Sequence, residues 1–229
     1  LAGDAGTPVA VAAYGRSLEV AMLKLYGCPN TRSMRVAWAL EEAGVEYDYE
    51  AVILRKGEGR RLSFLRVNPS GKVPVLVDGD LVLTESAAIC TYVGDCFPAS
   101  GLTPGFGTAD RARYNQWLAF AISELEQPLW TLAKHRFALP QELRVPAVEE
   151  AAKWEFGRAC RVLEKGLGDN AFILGDRFTA ADIMLSHILA WATSARIPVD
   201  SDLLRAYADR LLSRPALDRA LEREQMVAA

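Results

Sequence analysis

Three short stretches carry side chains that could do chemistry. Glu85-Ser86 follows the strand-like Leu81 to Leu83 and opens an apolar run through Ala87, Ile89, Cys90 and Val93. First-turn N–H groups of a helix lack intrahelical partners, so a hydroxyl placed there makes a seat for a carboxylate. The same pair can serve as a plain helix cap, and the two uses are compatible. Upstream, Lys72-Val73-Pro74 leads into the apolar Val75, Leu76 and Val77. Proline is tolerated at the first residue of a strand, one of the few places that accept a cis peptide. A cis Val73-Pro74 bond would turn the N–H and C=O of Val73 sideways, toward an extended peptide ligand. The third stretch, Cys28-Pro29-Asn30-Thr31 with Ser33, sets a thiol, an amide and two hydroxyls in a loop before a helix.

The elements that must position these residues can be read in order. Met22 to Gly27 is a strand, and Val36, Ala39, Leu40 and Ala43 repeat with helical spacing until Gly44 stops the helix, which spans about 32–43. Trp38 falls off that stripe and is expected to cover a domain contact, while Tyr26 is expected in the core. Residues 45–54 read as a second strand at a sheet edge, 59–67 as a short irregular helix, and 68–71 as a turn. Asp78-Gly79 then joins two strands as a hairpin that feeds a helix over 86–97. The order is βαβ, helix, ββα, followed by a Pro- and Gly-rich linker over 98–107.

Everything after the linker reads as helix. Thr108 caps a long helix to Phe137 with a kink expected at Pro128. Pro146 opens a second, with Val148, Ala152, Phe156, Ala159 and Leu163 on its apolar face and Gly166 as its stop. Helices from Thr179, over 203–212 and over 215–221 complete the chain. Thr179 with Asp182 forms the carboxylate version of a capping box, with Phe178 expected to staple onto Ile183. His187 is expected as a satisfied core histidine and His135 as solvent-facing.

At 229 residues, with 51 % hydrophobic and 24 % charged residues, the chain can hold one large or two small cores. A net charge of −3 without a basic run gives no footprint for nucleic acid, so a small-molecule partner is expected. Cys28, Cys90, Cys96 and Cys160 show no metal-ligand spacing, and with two histidines a metal site is not expected. Reduced thiols point to the cytoplasm. No stretch has the roughly 18 apolar residues of a membrane span. Residues 1–21 lack signal-peptide character. They read as an extension of unassigned role, left open between an upstream addition and a short strand through Val9 to Ala13.

NPSGKVPVL followed by LTESAAI resembles the glutathione-binding half of cytosolic glutathione transferases, and GDRFTAADIML resembles the capped core helix of their helical domain. The resemblance runs from Met22 to about Arg223 and implies a thioredoxin-like domain over 22–97 and an all-helical domain over 108–229. It implies that Lys72 reaches the glycyl end of glutathione, Val73 pairs with the cysteinyl backbone beside Pro74, and Glu85 and Ser86 fix the γ-glutamyl group. In serine-type members a hydroxyl four or five positions before a helix arginine activates the thiol. Arg35 looks like that arginine, which indicates Thr31, with Ser33 second and Asn30 as an amide alternative. Tyr114 and Trp117, three apart, are the expected wall for an apolar electrophile. Glutathione would be co-substrate, with no cofactor, and a homodimer is expected, partly because exposed apolar residues such as Trp38 need cover. Two further readings stay open. Cys28, in a CPNT stretch that resembles the start of glutaredoxins, could run glutathione-dependent thiol-disulfide exchange, or the fold could be a non-enzymatic binding module. Cys90, Cys96 and Cys160 are expected to be structural.

Overall fold

A computed structural model describes residues 22–228; the candidate strand through Val9 to Ala13 lies outside them. Strands β1 (Leu23–Gly27), β2 (Tyr47–Ala51), β3 (Val75–Asp78) and β4 (Leu81–Thr84) form one sheet in the order β2-β1-β3-β4. β1 runs parallel to β2 and antiparallel to β3, and β3 pairs antiparallel with β4 across the Asp78-Gly79 turn. The edge placement of β2 matches the sequence reading. Its alternation is cleaner than the sequence suggests, because Tyr47 and Tyr49 are both buried while Asp48 and Glu50 face out.

Helix α1 (Ser33–Glu42) and α3 (Ser86–Cys96) cover one face of the sheet, and the short α2 (Leu62–Leu65) brings Phe64 to Val52 and Val75 in a smaller cluster. From Ser33 to Leu40, α1 is buried on every side, more than one apolar stripe predicts. The reason is the second domain. Trp38 is fully buried, its ring 6.2 Å from that of Phe178 and its Nε1 donating to Glu42 at 2.9 Å. It covers a domain contact as expected, but it is not exposed and gives no argument for a second chain.

The helical domain begins at α4 (Ala109–Phe120), capped by Thr108 Oγ1, which accepts from the N–H of Arg111. The helix widens to a π turn over Ala121–Glu126 just ahead of Pro128, then continues as α5 (Gln127–Ala133). Proline lacks an N–H and crowds the carbonyl four residues back, and the π turn before it accommodates both at the place where the helix is expected to be interrupted. Helix α6 (Val148–Leu167) passes through Gly166 and ends at Gly168, which has φ 53°. Gly166 is therefore no stop. A Cβ there would lie 2.2 Å from the Trp117 ring, so the glycine makes room for that ring. Helix α7 (Ala180–Ser194) carries the expected capping box of Thr179 and Asp182, and Asp182 also accepts from Ile173 N–H at 2.9 Å and Tyr207 Oη at 2.7 Å. Helices α8 (Asp202–Leu212) and α9 (Pro215–Ala228) follow, the latter twice the expected length because it packs along α1 and β2.

Candidate active site

The sheet register gathers the three candidate stretches at one end. Tyr26 in β1 pairs with Val75 in β3, and Val75 pairs with Thr84 in β4. The end of β1, the start of β3 and the end of β4 are thus adjacent, and both α1 and α3 begin there. Val73-Pro74 is cis, with Pro74 buried and Lys72 exposed. The approach to it is fixed by Asn68, whose Nδ2 donates to the Lys72 carbonyl at 2.7 Å while Oδ1 accepts from Ser70 N–H at 3.1 Å. Gly59 and Gly71 press backbone to backbone beneath this turn. A Cβ on either would lie 2.5 Å from the other's carbonyl oxygen, so only glycine fits.

At the start of α3, Glu85 has φ 65°, a left-handed conformation uncommon outside glycine. It is exposed, whereas Ser86 turns inward and its Oγ accepts from Arg35 Nη1 at 3.3 Å. Arg35 itself is 1 % exposed, with Nε donating to His187 Nδ1 at 3.1 Å and Nη2 lying 2.6 Å from Glu126 Oε2. Burial lowers the Arg35 pKa and the Glu126 charge opposes that. Burial, with the nearby Arg35 and Arg32 charges, holds His187 well below the ordinary histidine range, so the imidazole is neutral. Glu126 also pairs with Arg32, whose guanidinium lies 5.0 Å from the Trp130 ring and 5.2 Å from the Trp191 ring. His187 is satisfied as the sequence suggests, though it sits half-buried at the seam between the domains. Sequence reasoning misses the role of Arg35 as its donor, and Glu126 altogether. A lone arginine within the apolar stripe of α1 is the available signal, since a buried arginine requires a carboxylate somewhere.

In the β1–α1 loop the three candidate donors separate. Ser33 is fully buried, its Oγ accepting from Cys28 N–H at 3.1 Å. Thr31 Oγ1 donates to the Cys28 carbonyl at 2.7 Å and accepts from Ser33 N–H at 3.2 Å. The two hydroxyls, 2.9 Å apart, thus brace the loop internally. Asn30 is exposed, with φ 60°. Cys28 is buried at 8 % exposure, Cys90 and Cys160 are buried with their thiols pushed up to about 12, and Cys96 is half-buried.

The expected electrophile wall does not hold together. Tyr114 is fully buried and its hydroxyl lies 2.8 Å from Thr91 Oγ1, so it belongs to the seam between α3 and α4. Trp117 sets Cη2 and Cζ2 of its ring over Gly166 and meets Phe120 edge-on, with centroids 5.2 Å apart. Three-residue spacing gives them one side of the helix, but Tyr114 is closed into the seam while the half-buried Trp117 packs on α6. Tyr26 is half-buried, packing on Phe64 at 5.7 Å at the margin of the smaller core cluster.

A four-stranded sheet with a cis-proline edge and a hydroxyl at a helix start, joined to an all-helical half, defines a thioredoxin-like protein with a second, helical domain. Residues 21–95 match the family model for the glutathione S-transferase N-terminal domain, and residues 146–212 match that for its C-terminal domain. Glutathione S-transferase 3 of Zea mays is 32 % identical over 211 residues, covering 88 % of this chain and 94 % of its own. The disulfide-bond oxidoreductase YfcG of Escherichia coli K12 is 31 % identical, covering 90 % and 97 %. A sphingomonad glutathione S-transferase solved in complex with glutathione superposes with a TM-score of 0.74 at 34 % identity, covering 88 % and 98 %. The chain belongs to the glutathione S-transferase family.

Proposed function

We infer that this chain is a glutathione transferase that binds glutathione across the sheet end formed by Val73-Pro74, the β1–α1 loop and Ser86. The observation that carries the reading is the meeting of a cis-proline edge and two helix starts at one end of the sheet. The γ-glutamyl group is assigned to Ser86 and Glu85, the cysteinyl backbone to Val73, and the glycyl end to Lys72. The glutathione thiol, near pKa 8.5 when free, must be held as thiolate to react at neutral pH. With Ser33 buried and the Thr31 hydrogen spent on Cys28, Asn30 and the N–H groups at the start of α1 are the better-placed donors. The thiolate lone pair then forms a C–S bond to an electrophilic carbon, and the electron pair of the bond broken there leaves with the departing group. With Tyr114 and Trp117 withdrawn, we assign the apolar electrophile to the rim by Trp130 and Trp191, whose rings flank Arg32 next to the loop.

Glutathione should raise the melting temperature, because a ligand that binds only the folded state stabilises it, and Ser86→Ala should lose most of that rise. No shift at millimolar glutathione would sink the assignment. A panel of electrophiles, peroxides and mixed disulfides then defines the chemistry. A second reading, thiol-disulfide exchange at Cys28, is favoured by the likeness to an oxidoreductase and by the place of Cys28 in the site loop. Cys28→Ser spares transferase activity and abolishes exchange, and loss of both would favour the second reading. Binding without turnover on the whole panel would leave the non-enzymatic module. The cytoplasm is the compartment we assign, from free thiols at all four cysteines. By family membership we assign a homodimer, to be seen in sedimentation at twice the chain's 25.1 kDa.

A further inference from the structure

Behind Ser86, in the seam between the domains, Arg35 is held on three sides. Glu126, from the π turn of the helical domain, lies 2.6 Å from Nη2, and His187 of α7 accepts from Nε at 3.1 Å. The remaining arm, Nη1, donates to Ser86 Oγ at 3.3 Å. Glu126 is 5 % exposed and carries a second partner in Arg32, so the helical domain places one carboxylate under both the site loop and the start of α3. Stability alone is a poor reason for such a cluster, since well-packed apolar residues in place of a buried ion pair are often neutral or stabilising. Its geometry has a consequence for the ligand. With one Ser86 lone pair filled by Arg35, the hydroxyl hydrogen is turned away from the guanidinium. Its acceptor is the thioether of the buried Met184, a weak one 4.0 Å away, so little holds the hydrogen against rotating about the C–O bond toward a carboxylate at the start of α3.

We propose that Glu126 is a positioning residue for glutathione: it fixes Arg35 so that Ser86 presents its hydroxyl hydrogen to the γ-glutamyl carboxylate, making the helical domain part of the glutathione site. This rests on Ser86 being the γ-glutamyl anchor. The test is a double-mutant cycle on glutathione affinity, measured by calorimetry on the full chain, with KM and kcat alongside. Glu126→Gln should weaken glutathione about tenfold, the size of one charge-assisted hydrogen bond. The loss should fall on KM for glutathione rather than on kcat, and Glu126→Asp should recover part of it. In the Ser86→Ala background, Glu126→Gln should weaken binding no further. If the two losses multiply, Glu126 does not act through Ser86 and the proposal fails while the Ser86 assignment stands. If Ser86→Ala leaves affinity intact, the assignment and the proposal fall together. Glu126→Gln strands a buried arginine and can cost the fold. The paired variant Arg35→Met with Glu126→Gln removes both charges, and it should fold and bind as weakly as Ser86→Ala. Wild-type affinity in it would overturn the proposal.

Discussion

Hydroxyl roles in the β1–α1 loop turn on where each hydrogen goes. Thr31 gives its hydrogen to the Cys28 carbonyl and accepts from Ser33 N–H, so Thr31→Ala removes a loop brace. Losing these neutral bonds should cost about 1 to 2 kcal/mol of stability, read as a lower urea midpoint. Asn30→Ala, at a φ of 60° that asparagine tolerates better than alanine, should cost about 1 kcal/mol of stability, and should also raise the apparent pKa of bound glutathione and slow turnover roughly tenfold. If Thr31→Ala moves the pKa and Asn30→Ala does not, the threonine hydroxyl leaves Cys28 when glutathione binds and is the donor.

At the scale of elements, packing can reverse a helix preference. Alanine is normally favoured over glycine inside a helix by about 1 kcal/mol. At Gly166 of α6 the added Cβ meets the rigid Trp117 ring at 2.2 Å, so Gly166→Ala should destabilise by about 1 to 3 kcal/mol. A gain in the denaturation midpoint would mean that the ring moves freely. Helix α9 carries a titration of its own. Glu224 is buried against β2, accepts from Tyr49 Oη at 2.8 Å, and burial pushes its pKa to about 7. Tyr47 is its other neighbour there, donating its own hydroxyl to Glu41 and lying under the Arg223 guanidinium. Because its folded pKa is above the unfolded 4.5, the folded state binds the extra proton. The associated stability is therefore full below about pH 4.5 and is lost as pH rises through about 7. Melting temperature should fall over that window, and Glu224→Gln should flatten the fall; an unchanged slope would place the titration elsewhere.

For the whole molecule, the two domains share one apolar core running from Leu23 through Trp38 to Ala220. Glu42 receives Trp38 Nε1 and, at 2.6 and 2.8 Å, the Arg214 guanidinium, while Arg219 and Arg223 reach Glu41. Unfolding should therefore be a single transition by fluorescence and far-ultraviolet dichroism alike. A chain ending at Gly101 should not fold, since Trp38, Leu40 and Tyr49 would lose their cover. Two separate transitions would show that the seam is not binding the domains into one unit.

Local chemistry written in consecutive residues is legible in the chain by itself: the hairpin at Asp78-Gly79, a proline placed where a cis bond is tolerated, the caps at Thr108 and Thr179, and the order of strands and helices. Each depends on neighbours a few positions away, so the chain itself states it. What requires tertiary structure is the set of partners that lie far apart along the chain. Spacing puts Tyr114 and Trp117 on one helix side but cannot say that the side faces inward. Nothing beside Gly166 in the chain tells that it receives the Trp117 ring, and α9 outruns its expected length because α1 and β2 supply its partner surface. Arg35 is visible as a charge in an apolar stripe, yet its carboxylate, 91 positions on at Glu126, comes from the other domain. Sequence periodicity records which face of an element is apolar; only packing decides what that face meets, and a buried charge is placed by its partner rather than by its neighbours in the chain.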